Sequence, residues 1–224
     1  MTQPSPLVRV MLVDDHASLR RPLAFMIDRE PDLAVVAQAG TLAEARALLA
    51  SGVIPDATVL DLDLPDGLGT SLIRDLRRVN GHGFALVLSG LVDVRSRTLA
   101  ISAGAAAFFS KTTEIEDVIS AIRHICEGQV LVSPAEAAQL AQEAERIGQT
   151  DRATAVGVSE LTPRERDILR AFADGLSDKE IAERLFIGDK TVRNHVTNLL
   201  SKLGADSRLQ ALVIAIRYGI VRVA

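Results

Sequence analysis

The stretch Ala57-Thr58-Val59-Leu60-Asp61-Leu62-Asp63-Leu64-Pro65-Asp66-Gly67 joins an apolar run to three carboxylates. The apolar run ends at Asp61, and Pro65 and Gly67 then break the strand and turn the chain. A run bounded in this way predicts a buried strand of a parallel sheet. Asp61 then lies at the carboxyl end of that strand, where open α/β sheets bind their ligands. An ordinary loop aspartate would also fit this stretch taken alone.

Four other apolar runs in the first half of the chain predict further strands. They cover residues 7–13, 33–37, 84–88 and 105–109. Three of them end in polar groups, which are Asp14-Asp15, Ser89 and Ser110-Lys111. Because the carboxyl ends of parallel strands share one edge of the sheet, we expect a site that holds several carboxylates, one hydroxyl and one ammonium.

Helical segments separate these strands. They are predicted at residues 16–29, 41–50, 68–79, 93–103 and 113–127. Five strand–helix units in succession indicate an α/β fold with a parallel sheet and helices on both faces. Thr41 and Glu44 predict a capping box at the start of the second helix, and Pro22 predicts a late start or a kink in the first.

The predicted site has the groups that phosphoryl transfer needs. Clustered carboxylates repel one another unless a cation neutralises them, and a set of oxygen ligands favours Mg²⁺. Asp61 could attack a phosphoryl group as a carboxylate nucleophile. Mg²⁺ and Lys111 would stabilise the transferring group while Ser89 donates to one of its oxygens, and the product would be an aspartyl phosphate.

These positions together resemble the receiver domain of two-component response regulators over about residues 7–128. The matching motifs are Asp14-Asp15, Asp61 with Pro65, Ser89 with a small residue after it, and Gly104-Ala105 leading to Lys111. The resemblance implies a flavodoxin-like, five-stranded parallel sheet in the order 2-1-3-4-5. It also implies that a sensor histidine kinase supplies the phosphoryl group.

The resemblance implies roles for individual residues of the site. Asp61 is expected to be the phosphoacceptor. Asp14 and Asp15 are expected to hold Mg²⁺ together with Asp61 and the backbone carbonyl of Asp63. Phe108 matches the aromatic residue that switches conformation in this family.

The second half of the chain is predicted to be helical. Two capping boxes open its first helices, and they are Leu161-Thr162-Pro163-Arg164-Glu165 and Ser177-Asp178-Lys179-Glu180. Two more helices are predicted at residues 189–203 and 206–218, and Gly188 is expected to move the cap of the first to Asp189. Two helices joined by a short turn that contains glycine indicate a helix-turn-helix.

The helix predicted at residues 189–203 has two different faces. Its apolar stripe is Val192, Val196, Leu199, Leu200 and Leu203. The opposite face carries hydroxyls, amides and cations without an acid, and it consists of Lys190, Thr191, Arg193, Asn194, Thr197, Asn198, Ser201 and Lys202. Solvated helix faces usually mix acids with bases, so this face favours contacts with double-stranded DNA.

This half resembles the LuxR/NarL-type DNA-binding domain over about residues 159–222. The likeness is carried by three motifs, which are Leu161 to Glu165, Gly175 to Ala182 and Lys190 to Val196. The family usually has Asn at the position of Asp178, Ser at Gly188 and Lys at Arg193. Asp178 and Asp189 place acids near DNA phosphates, which predicts a weaker affinity than usual.

The resemblance implies how the DNA would be bound. Base contacts are expected from Arg193, Asn194 and Thr197, phosphate contacts from Lys179, Lys190 and Lys202, and further DNA contacts from Thr191 and Asn198. The last helix resembles the family's dimerisation helix, so a homodimer is expected on phosphorylation. The predicted division is a receiver domain at 1–128, a linker at 129–158 with a helix at 135–147, and a LuxR-type helix-turn-helix domain at 159–224.

Composition limits the class of protein. The chain has 224 residues, of which 48% are hydrophobic, and its single cysteine excludes an intrachain disulfide. No apolar run is long enough to span a membrane and the N-terminus has no secretory signal pattern, so a cytoplasmic protein is expected. Residues 159–224 carry 11 Lys and Arg against 9 Asp and Glu, a mildly basic balance that is compatible with nucleic acid.

Two other functions remain open on the sequence. Asp61 and Asp63 after a strand also resemble the aspartate-nucleophile phosphatases of the haloacid dehalogenase class. In that class the nucleophile strand comes first, and Thr or Val stands where this chain has Pro65. The other alternative is a transcription factor whose receiver is a phosphorylation-independent dimerisation module. The favoured interpretation is a phosphorylation-activated DNA-binding regulator that is not an enzyme.

Overall fold

The structure is a computed structural model that describes residues 7–81, 83–90, 93–148 and 152–222. Within these residues the chain forms seven strands and eleven helices. The strands are β1 (Val8–Val13), β2 (Leu33–Ala39), β3 (Ala57–Asp61), β4 (Asp63–Leu64), β5 (Gly67–Leu68), β6 (Phe84–Ser89) and β7 (Ala107–Ser110). The helices are α1 (Ala17–Ile27), α2 (Leu42–Ala50), α3 (Thr70–Val79), α4 (Val94–Ser102), α5 (Ile115–Cys126), α6 (Pro134–Arg146), α7 (Arg152–Ser159), α8 (Pro163–Ala173), α9 (Asp178–Leu185), α10 (Asp189–Leu203) and α11 (Arg208–Arg217).

Five of the strands form one sheet in the order β2-β1-β3-β6-β7. The pairs β1–β2, β1–β3 and β3–β6 are parallel, and β4 pairs with β5 as a short antiparallel hairpin. When the hairpin is set aside, the sheet has the predicted order 2-1-3-4-5, so the predicted α/β fold is confirmed. All five residues of the central strand β3 are buried, which explains its continuous apolar sequence.

α1 and α2 form at the predicted places and differ from the predictions in detail at Pro22 and at the N-cap of α2. α1 begins at Ala17 and contains Pro22, so of the two predicted alternatives the late start is wrong and the kink stays a prediction. At α2, Thr41 Oγ1 accepts a hydrogen bond from the Glu44 amide at 3.1 Å, as a capping box requires. The Glu44 carboxylate accepts from the Gly40 amide at 2.7 Å and not from Thr41, so only half of the predicted box forms.

Residue contacts divide the chain into two compact units. The first comprises the chain up to residue 91 together with Phe108–Ile122, and the second comprises Val92–Ala107 together with Arg123–Ala224. Most of the sheet therefore belongs to the first unit and the helical half belongs to the second. The predicted domain boundaries at residues 128 and 158 stay predictions.

The second unit has its own hydrophobic core. The predicted apolar stripe of α10 lies in it, with Val192, Val196, Leu199 and Leu203 buried and Leu200 partly buried. The complete capping boxes of α8 and α9 form as predicted. Because each box satisfies amides that the first turn of a helix leaves open, both helices begin at defined residues.

Two details of the second unit differ from the predictions. α7 lies in the predicted linker except for its last residue, Ser159, and the sequence predicts only one helix there. The N-cap of α10 is Gly188 itself and Asp189 is the first helical residue, so the predicted shift of the cap to Asp189 is wrong. Gly188 has the extended backbone that an N-cap needs and supplies no side-chain acceptor.

Candidate functional site

Asp61 lies at the carboxyl end of β3, and its carboxylate is the centre of a charged cluster. The residue is 3% exposed. Lys111, directly after β7, donates from Nζ to Asp61 Oδ2 at 2.6 Å, and the Asp63 amide donates to Asp61 Oδ1 at 3.2 Å. The shared edge of the parallel strands therefore brings the predicted nucleophile and the predicted ammonium together.

Asp14, Asp15 and His16 complete the cluster from the segment after β1. Lys111 Nζ also pairs with Asp14 Oδ2 at 2.9 Å. His16 Nδ1 lies 2.5 Å from Asp15 Oδ1 and 3.4 Å from Asp14 Oδ1. One ligand atom from each of these three residues and one from Asp61 all lie within 4.8 Å of one another. This donor set is rich in carboxylate oxygen, so the pocket could bind a metal ion.

Burial and the neighbouring charges shift the pKa values of Asp61 and Lys111 in opposite directions. Burial raises the pKa of Asp61 above its ordinary value, and the hydrogen bond from Lys111 opposes that shift only in part. Burial acts to lower the pKa of Lys111, but its hydrogen bonds to Asp61 and Asp14 outweigh burial and raise that pKa. Lys111 is therefore an ammonium at neutral pH and offsets part of the carboxylate charge.

The other predicted pocket residues lie on the expected strands. Ser89 ends β6, next to β3 in the sheet, and is 0% exposed, while its carbonyl accepts a hydrogen bond from the Lys111 amide at 2.9 Å. Phe108 is buried in β7. Asp63 begins β4 with an exposed side chain. The metal contact of the Asp63 carbonyl and the switch role of Phe108 stay predictions.

The polar face of α10 is open to solvent. The exposed residues of the predicted DNA-binding set are Lys179, Lys190, Thr191, Arg193, Asn194, Thr197 and Asn198. Six of these seven lie on α10 and Lys179 lies on α9. The core therefore holds α10 by its apolar stripe and leaves a continuous surface of amides, hydroxyls and cations.

Two family models match the chain. The response regulator receiver domain matches residues 10–123, and the luxR family of bacterial regulatory proteins matches residues 159–215. The DNA-binding transcriptional activator DevR/DosR of Mycobacterium tuberculosis is 37% identical over 93% of this chain and 94% of its own length. The chain belongs to the NarL/LuxR family of response regulators.

Other relatives of this response regulator agree with that assignment. The nitrate/nitrite response regulator NarL of Escherichia coli is 35% identical over 91% of this chain and 93% of its own length. A crystal structure of a LuxR-family two-component response regulator from Aurantimonas sp. SI85-9A1 gives a TM-score of 0.54 at 33% identity. It covers 63% of this chain and 99% of that one.

Family membership rules out one of the two alternatives that the sequence left open. As a NarL/LuxR-family response regulator, the chain joins a receiver domain to a LuxR-type DNA-binding domain and is a transcription regulator. The relatives are transcriptional regulators and not enzymes, so the prediction of a non-enzyme is confirmed and the phosphatase alternative is wrong. Among the helices that the structure describes, none is both long and apolar enough for a transmembrane span.

Lys202 of the response regulator has a structural partner that its sequence did not reveal. Its Nζ donates to Glu165 Oε2 at 2.8 Å, to Glu165 Oε1 at 3.1 Å and to the Glu160 carbonyl at 3.1 Å. The Glu165 side chain is 3% exposed, and it also accepts the Thr162 amide in the capping box of α8. A phosphate contact by Lys202 stays a prediction, and it would compete with these three acceptors.

Sequence reasoning also missed two residues that hold the loop after Asp61. Asp66 accepts hydrogen bonds from the Leu42 and Ala43 amides at 2.8 and 2.9 Å, and these bonds hold the pKa of Asp66 below its ordinary value. A Cβ atom at Gly69 would lie 2.0 Å from the Asp61 carbonyl oxygen. The response regulator therefore needs glycine at that position if Asp61 is to keep its place.

Proposed function

We propose that this response regulator is activated by phosphorylation of Asp61 and then binds promoter DNA through α10. The phosphodonor is the phosphohistidine of a sensor histidine kinase. The observation that carries the proposal is the buried Asp61 carboxylate, which ends the central strand 2.6 Å from the Lys111 ammonium. A buried carboxylate paired with a cation is arranged to attack a group whose own negative charge must be neutralised.

The residues of the pocket have separate parts in this transfer. A carboxylate oxygen of Asp61 forms a bond to phosphorus while the bond from phosphorus to the kinase histidine breaks. Lys111 neutralises charge on the phosphoryl oxygens, and the Ser89 hydroxyl donates to one of them. Asp14, Asp15, Asp61 and the Asp63 carbonyl would hold Mg²⁺, which would supply electrostatic stabilisation of these oxygens.

The transferred group changes the charge of the pocket. A phosphoryl group adds about −1.5 to −2 charges, which attracts Lys111 and the Ser89 hydroxyl. Phe108 then follows Ser89 and biases a two-state equilibrium of the receiver. The phosphorylated state is a homodimer whose two α10 helices meet half-sites in successive major grooves.

The DNA contacts follow from the exposed face of α10. Arg193, Asn194 and Thr197 are proposed to contact base edges, since arginine matches guanine and asparagine matches adenine. Phosphates are proposed to be bound by Lys179, Lys190, Thr191 and Asn198, which fix the position of the helix in the groove. The cytoplasm, where promoter DNA and the kinase's catalytic domain meet, is the proposed location.

Phosphoryl incorporation into the full chain tests this function. The wild-type protein, incubated with acetyl phosphate and Mg²⁺, is expected to gain one hydroxylamine-labile phosphoryl group, located on Asp61 by peptide mass spectrometry. The Asp61→Asn variant is expected to gain none because an amide is not a nucleophile. Asp63→Asn is the matched control, since it removes the same charge two residues away and leaves the acceptor in place.

Two results would contradict the proposal. Incorporation at the wild-type level in Asp61→Asn would move the acceptor to another residue. Equal DNA affinity and equal dimerisation with and without the phosphoryl group would instead favour a receiver that serves as a phosphorylation-independent dimerisation module.

A further inference from the structure

We propose that Asp178 positions the guanidinium of Arg193 and thereby sets the base specificity of α10. The inference rests on the proposed function, in which Arg193 contacts a base. It gives a role to an acid whose charge alone would only repel DNA phosphates.

Asp178 lies beside Arg193 at the DNA-binding face. The Oδ2 atom of Asp178, in the first turn of α9, is 3.6 Å from Nε of Arg193 on α10. The Arg193 side chain is 67% exposed and the Asp178 side chain is 14% exposed. The carboxylate therefore approaches the inner edge of a guanidinium whose outer part is in solvent.

The Asp178 carboxylate is itself held in place from behind. Arg208 donates from Nη1 to Asp178 Oδ1 at 2.6 Å and from Nη2 to Asp178 Oδ2 at 3.1 Å. The Arg208 guanidinium lies 5.3 Å from the centre of the Phe172 ring and donates to the Gly128 carbonyl at 2.9 Å. Since the bidentate pair, the ring and the carbonyl fix Arg208, the carboxylate that faces Arg193 has one orientation.

The position of this carboxylate suits guanine recognition. A charge at the Nε edge leaves the two terminal nitrogens of Arg193 free, and these nitrogens match O6 and N7 of guanine. A long side chain that is oriented before binding loses less conformational freedom when it meets the base. An Arg193 side chain held in this orientation matches other base pairs less well. The effect of Asp178 therefore appears as discrimination between guanine and the other bases.

The negative charge has a cost that the proposal also predicts. Arg208 balances Asp178 within the protein, yet an acid near the DNA surface weakens attraction to phosphates on every sequence. Asp178 therefore lowers affinity in general and raises the preference for one base pair. If Asp178 were only the structural partner of Arg208, its replacement would change stability and leave base preference alone.

Base discrimination by the full chain tests the proposal. Affinities are measured at one salt concentration for a selected operator and for operators changed at single base pairs. Arg193→Ala identifies the base pair that Arg193 reads, through a loss of discrimination there of roughly 5- to 150-fold, equivalent to about 1–3 kcal/mol. Asp178→Asn is expected to reduce discrimination at that same base pair several-fold and to bind scrambled DNA more tightly than the wild type.

Two further variants separate the effect of the position of the Asp178 carboxylate from the effect of its charge. Asp178→Glu keeps the charge and the pairing with Arg208 but moves the carboxylate by one methylene, so it is expected to lose discrimination without gaining affinity for scrambled DNA. Glu183→Gln removes an exposed acid on the same helix and is the charge-matched control, expected to keep the wild-type discrimination. Thermal unfolding of each variant confirms that the comparison is made on folded protein.

The double variant Asp178→Asn/Arg193→Ala decides whether Asp178 acts through Arg193. Discrimination equal to that of Arg193→Ala alone is expected. Wild-type discrimination in both Asp178 variants, or an equal loss in the presence and absence of Arg193, would overturn the positioning role. An equal loss on all DNAs in Arg193→Ala would instead show that Arg193 contacts phosphate, which refutes the base contact and not the binding of DNA.

Discussion

The Lys202→Met variant is expected to lose about 1–3 kcal/mol of unfolding free energy in the helix-turn-helix domain. Methionine keeps the length of the side chain and removes the cation that pairs with Glu165. The Glu165 carboxylate, 3% exposed, then stays buried without its counter-charge. Removing one partner of this part-buried pair costs more than the pair contributes, because the Glu165 carboxylate stays out of water and loses its counter-charge.

Chemical denaturation of wild-type and variant protein measures this loss. Lys190→Met is the matched control, since Lys190 is exposed in the first turn of α10, and its free energy of unfolding should change by less than about 0.5 kcal/mol. Adding Glu165→Gln to Lys202→Met is expected to restore much of the stability, because glutamine keeps an acceptor for the Thr162 amide and carries no charge. A Lys202→Met variant as stable as Lys190→Met would show that the pair is not needed by the fold.

The same pair predicts a pH dependence. Burial acts to raise the pKa of Glu165, but hydrogen bonds from Lys202 and Thr162 outweigh burial and lower it. A lowered pKa stabilises the wild type at pH values above the ordinary pKa of glutamate, and that contribution is lost as the pH falls through the folded-state pKa. In Lys202→Met, burial without the cation raises the pKa, so protonation relieves the penalty. The difference in unfolding free energy between the wild type and Lys202→Met should therefore narrow as the pH falls from 7 towards 4.

The Gly69→Ala variant is expected to slow phosphorylation of Asp61 by about 100-fold, the usual effect of misplacing a reacting group by about 1 Å. The added Cβ would lie 2.0 Å from the Asp61 carbonyl oxygen, so the strand end or the loop must move. Gly69 has φ −55° and ψ −31°, which alanine adopts without strain. The effect therefore isolates the steric contact with Asp61.

Initial rates of labelling by acetyl phosphate measure this effect. Gly81→Ala is the matched control, because a Cβ there has no atom of the described residues within 4 Å. Its rate should equal that of the wild type. An unchanged rate in a folded Gly69→Ala protein would show that the Asp61 carboxylate keeps its alignment when its backbone is displaced.

The charged pocket around Asp61 was predictable because its groups follow the ends of apolar strands. Asp61 and Lys111 are 50 positions apart, yet parallel topology requires both to lie at one edge of the sheet. His16 adjoins Asp15 in the sequence and could have been included in the pocket on that signal. Asp66 had no such signal, since its partners at the start of α2 lie more than 20 positions earlier and share no pattern with it.

In the helical half, sequence patterns predicted features that depend on neighbouring residues. They did not predict a contact between residues that are far apart in the sequence. The capping boxes of α8 and α9 depend on residues three positions apart and form as predicted. The role of Lys202 depends on Glu165, 37 positions earlier, and a helix face that lacks acids gave no sign of that partner. α7 has no acid in its first turn and no base in its last turn, so the usual charge signals of a helix were absent.

The two hydrogen bonds between Asp66 and the start of α2 make two backbone amides sensitive to movement of the loop that follows Asp61. Leu42 and Ala43 donate to a carboxylate on the loop that directly follows Asp61. The chemical shift of an amide proton depends steeply on the length of its hydrogen bond, and a charged acceptor strengthens that dependence. The resonances of Leu42 and Ala43 are therefore an intrinsic spectroscopic reporter of that loop. They need no label beyond ¹⁵N and can be followed in the intact chain during the proposed phosphorylation of Asp61.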